Sequence, residues 1–181
     1  MSTPGRPAPA KLIISLVMNN KKIINDILPL IVGVFGDIDI ISEWFNFDYT
    51  DYYYHEMGSP LFRRVVVFKN LISQNRLCEI KEITNSFENK WAEDGKRNIN
   101  IDPGYLLLSR FILATGKDYS HRIYIGKGIY ADITLIYKHG EYTPLEWTYP
   151  DYASPVMLDF FKKIRKKYAQ DLKQEKPDTY R

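Results

Sequence analysis

The stretch 119–152 holds the side chains of this chain that are best suited to chemistry. Seven of the fourteen tyrosines lie in it, together with histidine, arginine, lysine and aspartate, on what the pattern predicts to be paired strands. A plain hydrophobic core needs fewer hydrogen-bonding aromatics and charges than this. The stretch therefore predicts a binding or catalytic site.

The turn Gly126-Lys127-Gly128 sets the expected register of the first hairpin. It places Arg122 opposite Asp132 and Tyr124 opposite Tyr130, so that all four side chains share one face. A guanidinium and a carboxylate among tyrosines can hold a polar ligand. The alternative is a cross-strand pair that only neutralises itself on a solvated sheet. On the other face the register pairs Ile123 with Ala131 and Ile125 with Ile129.

His121 and Asp132 are the candidates for acid–base catalysis. Strand alternation places His121 on the apolar face, away from Asp132, which favours a structural histidine. A further strand after the turn at His139-Gly140 would set Trp147 beside Asp132.

The loop 48–56 is a weaker candidate for a metal site, through the four side chains Asp48, Asp51, His55 and Glu56. Their spacing matches no established metal signature, so we expect no metal and no cofactor. The tyrosines of the same loop could instead form a lid over the sheet.

Lys127, between two glycines, could meet a phosphate at the hairpin turn, although such a turn needs glycine in any case. The segment 115–118 lacks the upstream glycine and the final Ser/Thr of a phosphate-binding loop. A standard nucleoside-triphosphatase motif is therefore absent from the sequence.

The elements that would position these residues follow the order β-α-β-β-α-β, which is ferredoxin-like. Strands are predicted over 11–17, 37–47, 61–69 and 97–101, and helices begin after the caps Asn20 and Ser73. Asp102-Pro103 predicts a short helix over 106–113, with a buried strand as the alternative. Gly36 is the expected end of the first helix. Hairpins then extend the antiparallel sheet, and Ser154-Pro155 begins a final helix with one apolar stripe, formed by Met157, Phe161, Ile164, Tyr168 and Leu172. The fold class is α+β.

Length and composition predict one domain over 11–173, with a disordered leader at 1–10 and a frayed tail at 174–181. The only cysteine is Cys78, and no apolar run reaches the ~20 residues of a membrane span. We expect a cytoplasmic protein with no membrane partner. The net charge is +3, and the excess of basic residues lies in the final helix. Basic residues there are typical of a solvated helix face, so we expect no nucleic acid partner. The oligomeric state stays open.

Four segments together resemble a family of bacterial proteins classed as a domain of unknown function; they start at Phe47, Asn100, Asp118 and Trp147. The resemblance covers about residues 10 to 172. It carries no established activity, but members are often labelled as GTP-binding, which implies a nucleotide as one candidate ligand. The matching segments add Asp102, Tyr105 and Asp151 to the candidate ligand-binding residues.

Three functions follow as hypotheses. The first is binding of a small anionic molecule by Arg122, Lys127 and the tyrosines. The second is a hydrolase that uses His121 with Asp132, or the carboxylates of 48–56. The third is a protein or RNA interaction module, for which the predicted strand 61–69 lacks the usual RNA-binding pattern.

Overall fold

A computed structural model describes residues 1–49, 53–93 and 95–174. The fold mixes helices and strands around a nine-stranded, open, antiparallel sheet. The helices are α1 (Ile24–Phe35), α2 (Tyr54–Met57), α3 (Leu77–Lys90) and α4 (Pro155–Gln174). The strands are β1 (Ala10–Met18), β2 (Ile38–Ile41), β3 (Phe45–Asn46), β4 (Phe62–Ile72), β5 (Ala92–Glu93), β6 (Lys96–Arg97), β7 (Ile99–Leu107), β8 (Arg110–Thr115), β9 (Arg122–Gly126), β10 (Ile129–Lys138) and β11 (Glu141–Pro144).

The main sheet has the order β11-β10-β8-β7-β1-β4-β2, with β9 added to β10 and β3 added to β4. The short strands β5 and β6 form a separate hairpin. Helices cover both faces: α1 places Phe35 against Phe68, and α4 places Phe161 against Phe111. The register puts Phe68 and Phe111 on opposite sides of the sheet. A two-sided core explains why β1 is buried at every position.

The helix boundaries agree with the local signals in the sequence. Asn20 accepts a hydrogen bond from the backbone N–H of Lys22 and starts a 3₁₀ turn that leads into α1. The helix ends at Gly36, whose φ of 90° lies in the region that favours glycine. In α4 the predicted apolar stripe is buried at Met157, Phe161, Ile164 and Tyr168. These local predictions are confirmed.

The predicted short helix over 106–113 is wrong, because this segment belongs to the strands β7 and β8. Both strands lie within the sheet, and a run that is apolar on every side suits a strand covered on both faces. Pro103 is tolerated in β7 because β8 pairs with β7 only from Gly104 onward, which leaves one edge open before that point. The Asp-Pro pair that suggested a helix cap therefore marks a half-open strand.

Gly104 is a position where the sheet requires glycine. A Cβ atom at this residue would lie 2.4 Å from the backbone oxygen of Ile112, which cannot move aside as a side chain can. We expect Gly104→Ala to lower the free energy of unfolding by ~2–3 kcal/mol, as overpacking does elsewhere. Chemical denaturation would measure this. Gly116→Ala is the control, since no atom lies within 4 Å of its added Cβ, and equal stability of the two variants would contradict the prediction.

Part of the basic excess of α4 serves internal contacts. Arg165 donates to the carbonyl of Leu108 at 2.8 Å and lies over the ring of Tyr137, and Lys167 pairs with Asp39 and Asp171. No helix in the described part of the chain is both long and apolar enough to cross a membrane.

Candidate functional site

The first hairpin has the predicted register next to its charged residues. Arg122 pairs with Asp132 and Tyr124 with Tyr130, so these four side chains share one face of the sheet. Nearer the turn the prediction is wrong: Ile129 pairs with Gly126 instead of Ile125, because the register shifts between Ile129 and Tyr130. Positive φ angles at all three turn residues accompany this shift.

Asp132 is the buried centre of the charged residues on this hairpin, with only 4% of its surface exposed. Its Oδ2 accepts a hydrogen bond from Arg122 Nε at 3.0 Å and lies 3.3 Å from His121 Nε2. The other nitrogens of Arg122 donate to the carbonyl of Lys117 at 3.0 Å and to the hydroxyl of Tyr149 at 3.1 Å. The pair is therefore a buried, oriented ion pair and does not lie on a solvated surface.

His121 lies on the same side as Asp132, which corrects the expectation from strand alternation. Alternation does not apply because β9 begins one residue later, at Arg122. The imidazole stacks on Trp147 at 4.7 Å between ring centroids, with 12° between the planes. Trp147 donates to the carbonyl of Ile133 at 2.8 Å from beyond the end of β11. Nδ1 of His121 has no hydrogen-bond partner among the residues that the structure describes.

Exposed aromatic side chains surround this buried centre. They are Tyr119, Tyr124, Trp147 and Tyr149, and between 38% and 65% of each residue is open to solvent. Tyr130 packs against Tyr124 at 5.4 Å. We call these five residues, together with His121, Arg122 and Asp132, the hairpin site. Such rings can stack on a planar ligand while their polar atoms form hydrogen bonds.

Lys127 points away from the hairpin site. Its ammonium group pairs with Glu82 of α3 at 2.6 Å, and both side chains are about half exposed. The hydrogen bond from Lys127 to Glu82 raises the pKa of this lysine. The structure therefore does not bring Lys127 together with Arg122.

Asp102 belongs to a second polar cluster, on the open edge of β7. It accepts from Lys81 at 3.2 Å and from Asn100 at 2.6 Å. Lys81 also donates to the backbone carbonyl of Ile101, and Glu88 accepts a hydrogen bond from the backbone N–H of Ile101. These two side chains of α3 take the place of a neighbouring strand, which satisfies backbone groups that the edge would otherwise leave unpaired. Burial raises the pKa of Glu88 despite the nearby Lys81.

Tyr105 does not join Asp102, because three residues along a strand place it on the opposite face. Its hydroxyl lies 3.4 Å from Gln74 Oε1, in the turn before α3, and burial raises its pKa. Tyr53, which the sequence did not single out, does lie near this cluster. Burial, and next the charge of Asp102, raise the pKa of Tyr53, and Tyr149 also acts on it.

The alternative metal site in 48–56 is not assembled in the described residues. Glu56 is held by Arg97 at 2.6 and 2.8 Å, while Asp48 and His55 are exposed. Asp51 lies outside the described residues. Among those that are described, no group of three His, Cys, Asp or Glu side chains could hold a metal ion.

The Glu56–Arg97 pair gives a pH-dependent prediction. The hydrogen bond from Arg97 lowers the pKa of Glu56 below its ordinary value. The stabilisation is therefore complete above the pKa of the unfolded chain, ~4.3, and is lost as the pH falls through the lower folded pKa. We expect Glu56→Gln to be less stable than the parent protein at pH 7, and this difference to shrink in acid. Urea denaturation at several pH values would test it; a difference that does not change with pH would contradict it.

Asp151 is paired with an arginine that the sequence reading missed. Arg63 Nη1 forms a buried hydrogen bond with Asp151 Oδ2, and the guanidinium lies between the rings of Phe47 and Tyr152. A signal for it exists: Arg63 and Arg64 both interrupt the apolar positions of the predicted strand 61–69, so one of them must face the core side. Arginine is almost never buried without a partner.

A family model described as a domain of unknown function (DUF4416) matches residues 8–168 of this chain. No curated protein and no solved structure matches it. Since the family match spans most of the chain, the protein belongs to this domain-of-unknown-function family.

Proposed function

We propose that the protein binds a small anionic molecule with a planar group, such as a nucleotide, at the hairpin site. One observation carries this proposal: exposed aromatic rings surround the buried ion pair of Arg122 and Asp132. The rings offer stacking surfaces, and the ion pair fixes polar groups among them. GTP is the first candidate, because the family resemblance suggests it.

Tyr149 and His121 are the groups that would meet the anion. The Tyr149 hydroxyl accepts from Arg122, so its own proton is free to point towards a ligand oxygen. A charged donor polarises the hydroxyl and strengthens the bond that it gives. Nδ1 of His121 lies beside the Trp147 ring and would meet the anion as an N–H donor, which requires the imidazolium form with Nε2–H facing Asp132. Lys127 would contact the ligand only if its ion pair with Glu82 broke.

Thermal unfolding with GTP and GMP tests this proposal. At one hundred times the Kd, a ligand should raise the Tm of a protein of this size by about 5–10 °C. Tyr124→Ala should reduce the rise, because it removes a stacking ring. Ile123→Ala is the matched control, since it alters an equally exposed neighbour on the other face of β9. No rise with either nucleotide, or equal loss in both variants, would reject the proposal.

Acid–base catalysis is the second candidate, favoured by the 3.3 Å between His121 Nε2 and Asp132 Oδ2. If Nε2–H donates to the buried carboxylate, Nδ1 becomes the acceptor and can remove a proton from a water or hydroxyl nucleophile. Asp132 would then stabilise the imidazolium that forms. The reaction class is hydrolysis of a small ester or phosphoester.

A panel of nitrophenyl esters and phosphoesters tests this second function. We expect His121→Asn to abolish turnover and His139→Asn, in the turn between β10 and β11, to leave it unchanged. Equal rates in the two variants would assign the turnover to some other group. Absence of turnover on every substrate, in a preparation that still binds nucleotide, would leave binding as the function.

We also infer a ferredoxin-like arrangement for the first six main elements, supported by the strand order β7-β1-β4-β2. A single domain over 11–173 with a loose leader stays a prediction, as do the cytoplasmic location and the bacterial origin. Residues 1–9 contain no helix or strand, and Pro9 accepts a hydrogen bond from Tyr168.

A further inference from the structure

A cavity lies at the start of α4, apart from the hairpin site. Its volume is about 280 Å³, and one wall is aromatic: Trp44, Phe45, Phe47 and Tyr49. The start of α4 also lines the cavity, as do Arg63 and Asp151. The volume lies just below the ~300–1,000 Å³ that is typical of drug-sized ligands. The cavity therefore suits a molecule of about one ring system.

Arg63 presents unused hydrogen-bond donors at this cavity. Only 4% of the residue is exposed, and rings on either side hold the guanidinium plane, Phe47 at 4.7 Å and Tyr152 at 4.6 Å from Cζ. Nη1 donates to Asp151, but buried Nε has no partner in the described part of the chain. No described acceptor is bonded to Nη2 either. Nε is closed to solvent, so Nη2 is the donor of Arg63 that is left for a ligand in the cavity.

The N-terminus of α4 adds a second attraction for an anion. This helix has 20 residues and begins at Pro155, which has no N–H. The N–H groups of Val156 and Met157 have no acceptor within the helix, whereas that of Leu158 donates to the carbonyl of Ser154 at 3.0 Å. Val156 and Met157 both line the cavity, and the only side-chain acceptor near Met157 N is Ser154 Oγ at a long 3.4 Å, among described residues. The positive end of the helix dipole therefore faces the same space as Arg63.

Two carboxylates limit how much negative charge the cavity can accept. Asp151 already neutralises Arg63, and the exposed Asp48 also lines the cavity. Both carboxylates repel any anion, but they repel a phosphate dianion about twice as strongly as a monocarboxylate, which can bind Nη2 of Arg63. We propose that this cavity binds a small aromatic monocarboxylate, with its ring against the aromatic wall and its carboxylate between Arg63 and the first turn of α4.

Two-dimensional NMR of the full chain with benzoate, benzamide and inorganic phosphate tests this proposal. Benzoate should shift the amide signals of Val156 and Met157 and saturate in the millimolar range. Benzamide has the same ring without the charge and should bind at least about tenfold more weakly. Phosphate should not compete. No shift at about 10 mM benzoate, equal binding of benzamide, or binding of phosphate as tight as that of benzoate would overturn the proposal.

Variants locate the interaction without relying on one residue. Asp48→Asn removes a repelling charge from an exposed position and should tighten benzoate binding on the order of fivefold. Asp159→Asn is the matched control, because this carboxylate of α4 is exposed and pairs with Lys162. Arg63→Lys keeps the charge, loses the planar fork and should abolish binding. If that variant does not fold, Asp48→Asn still decides: an unchanged benzoate affinity there would overturn the proposal.

Discussion

Replacing Lys11 with methionine should lower the free energy of unfolding by about 3–5 kcal/mol, the largest single effect that we expect in this protein. Lys11 is fully buried, and its ammonium group lies 2.6 Å from Asp39 and 2.7 Å from Asp171. Removing the cation leaves two largely buried carboxylates, and Lys167 is the one other cation that pairs with them in the described part of the chain. An uncompensated buried charge costs far more than the lost attraction.

Asp171 belongs to the buried cluster of Lys11, Asp39, Lys167 and Asp171, in which burial and ion pairing act on its pKa in opposite directions. Burial opposes its ionised form, but hydrogen bonds from Lys11 and Lys167 outweigh burial and hold the pKa of Asp171 below its ordinary value. The lowered pKa means that the cluster stabilises the fold above the unfolded pKa and loses this contribution as the pH falls through the folded pKa. We therefore expect the penalty of Lys11→Met to be largest near neutral pH.

Equilibrium denaturation of matched lysine variants would measure the effect. Lys69→Met is the control, because Lys69 forms an exposed pair with Asp37 at 3.3 Å. Its loss should cost less than about 1 kcal/mol. Adding Asp39→Asn and Asp171→Asn to Lys11→Met should restore part of the stability, since the orphaned charges are then gone. Similar costs for the two single lysine variants would show that the buried cluster is not a major source of stability.

Asp132→Asn should produce the second-largest effect, a loss of about 3 kcal/mol in the free energy of unfolding. The substitution keeps the size of the side chain but leaves the buried Arg122 guanidinium without a counter-charge. The hydrogen bonds of Arg122 to Lys117 and Tyr149 remain, so the residue should stay in place at a higher energy. We also expect weaker nucleotide binding at the hairpin site, since Tyr149 is oriented through Arg122.

Glu82→Gln is the matched control, because it removes one carboxylate from the exposed pair at the tip of the same hairpin. Its stability and its ligand affinity should equal those of the parent protein. Equilibrium denaturation of both variants measures this. A denaturation midpoint of Asp132→Asn equal to that of Glu82→Gln would contradict the assignment of Asp132 as a buried counter-ion. Normal stability with lost binding would instead assign Asp132 to the ligand itself.

Much of the local structure could be read from the sequence. The caps at Asn20 and Gly36 and the apolar stripe of α4 lie where the signals placed them. The pairing of Arg122 with Asp132 also followed from the sequence, because a short hairpin ties its register to the turn. The error at Ile129 arose one residue from that turn, where three positive φ angles shift the pairing.

The segment 104–115 shows where local reading fails. Its apolar stretches suit a buried helix and a central strand equally well, and the pairing with neighbouring strands decides between them. Ser109 and Arg110, which interrupt the apolar residues, lie at the turn between β7 and β8. His121 shows the same limit on a smaller scale: its side depended on where β9 begins, which strand alternation alone does not define.

By itself the sequence determined the three long helices, most strands and most of the first hairpin, because these depend on hydrophobic period, caps and turns within a few residues. Apart from the pair Arg122–Asp132, only the tertiary structure decided which charges are buried and with which partners. Arg63 meets Asp151 across 88 residues, and Lys11 meets Asp171 across 160. A buried charge takes whichever opposite charge the packing brings within reach, and that distance along the chain leaves no periodic trace in the sequence.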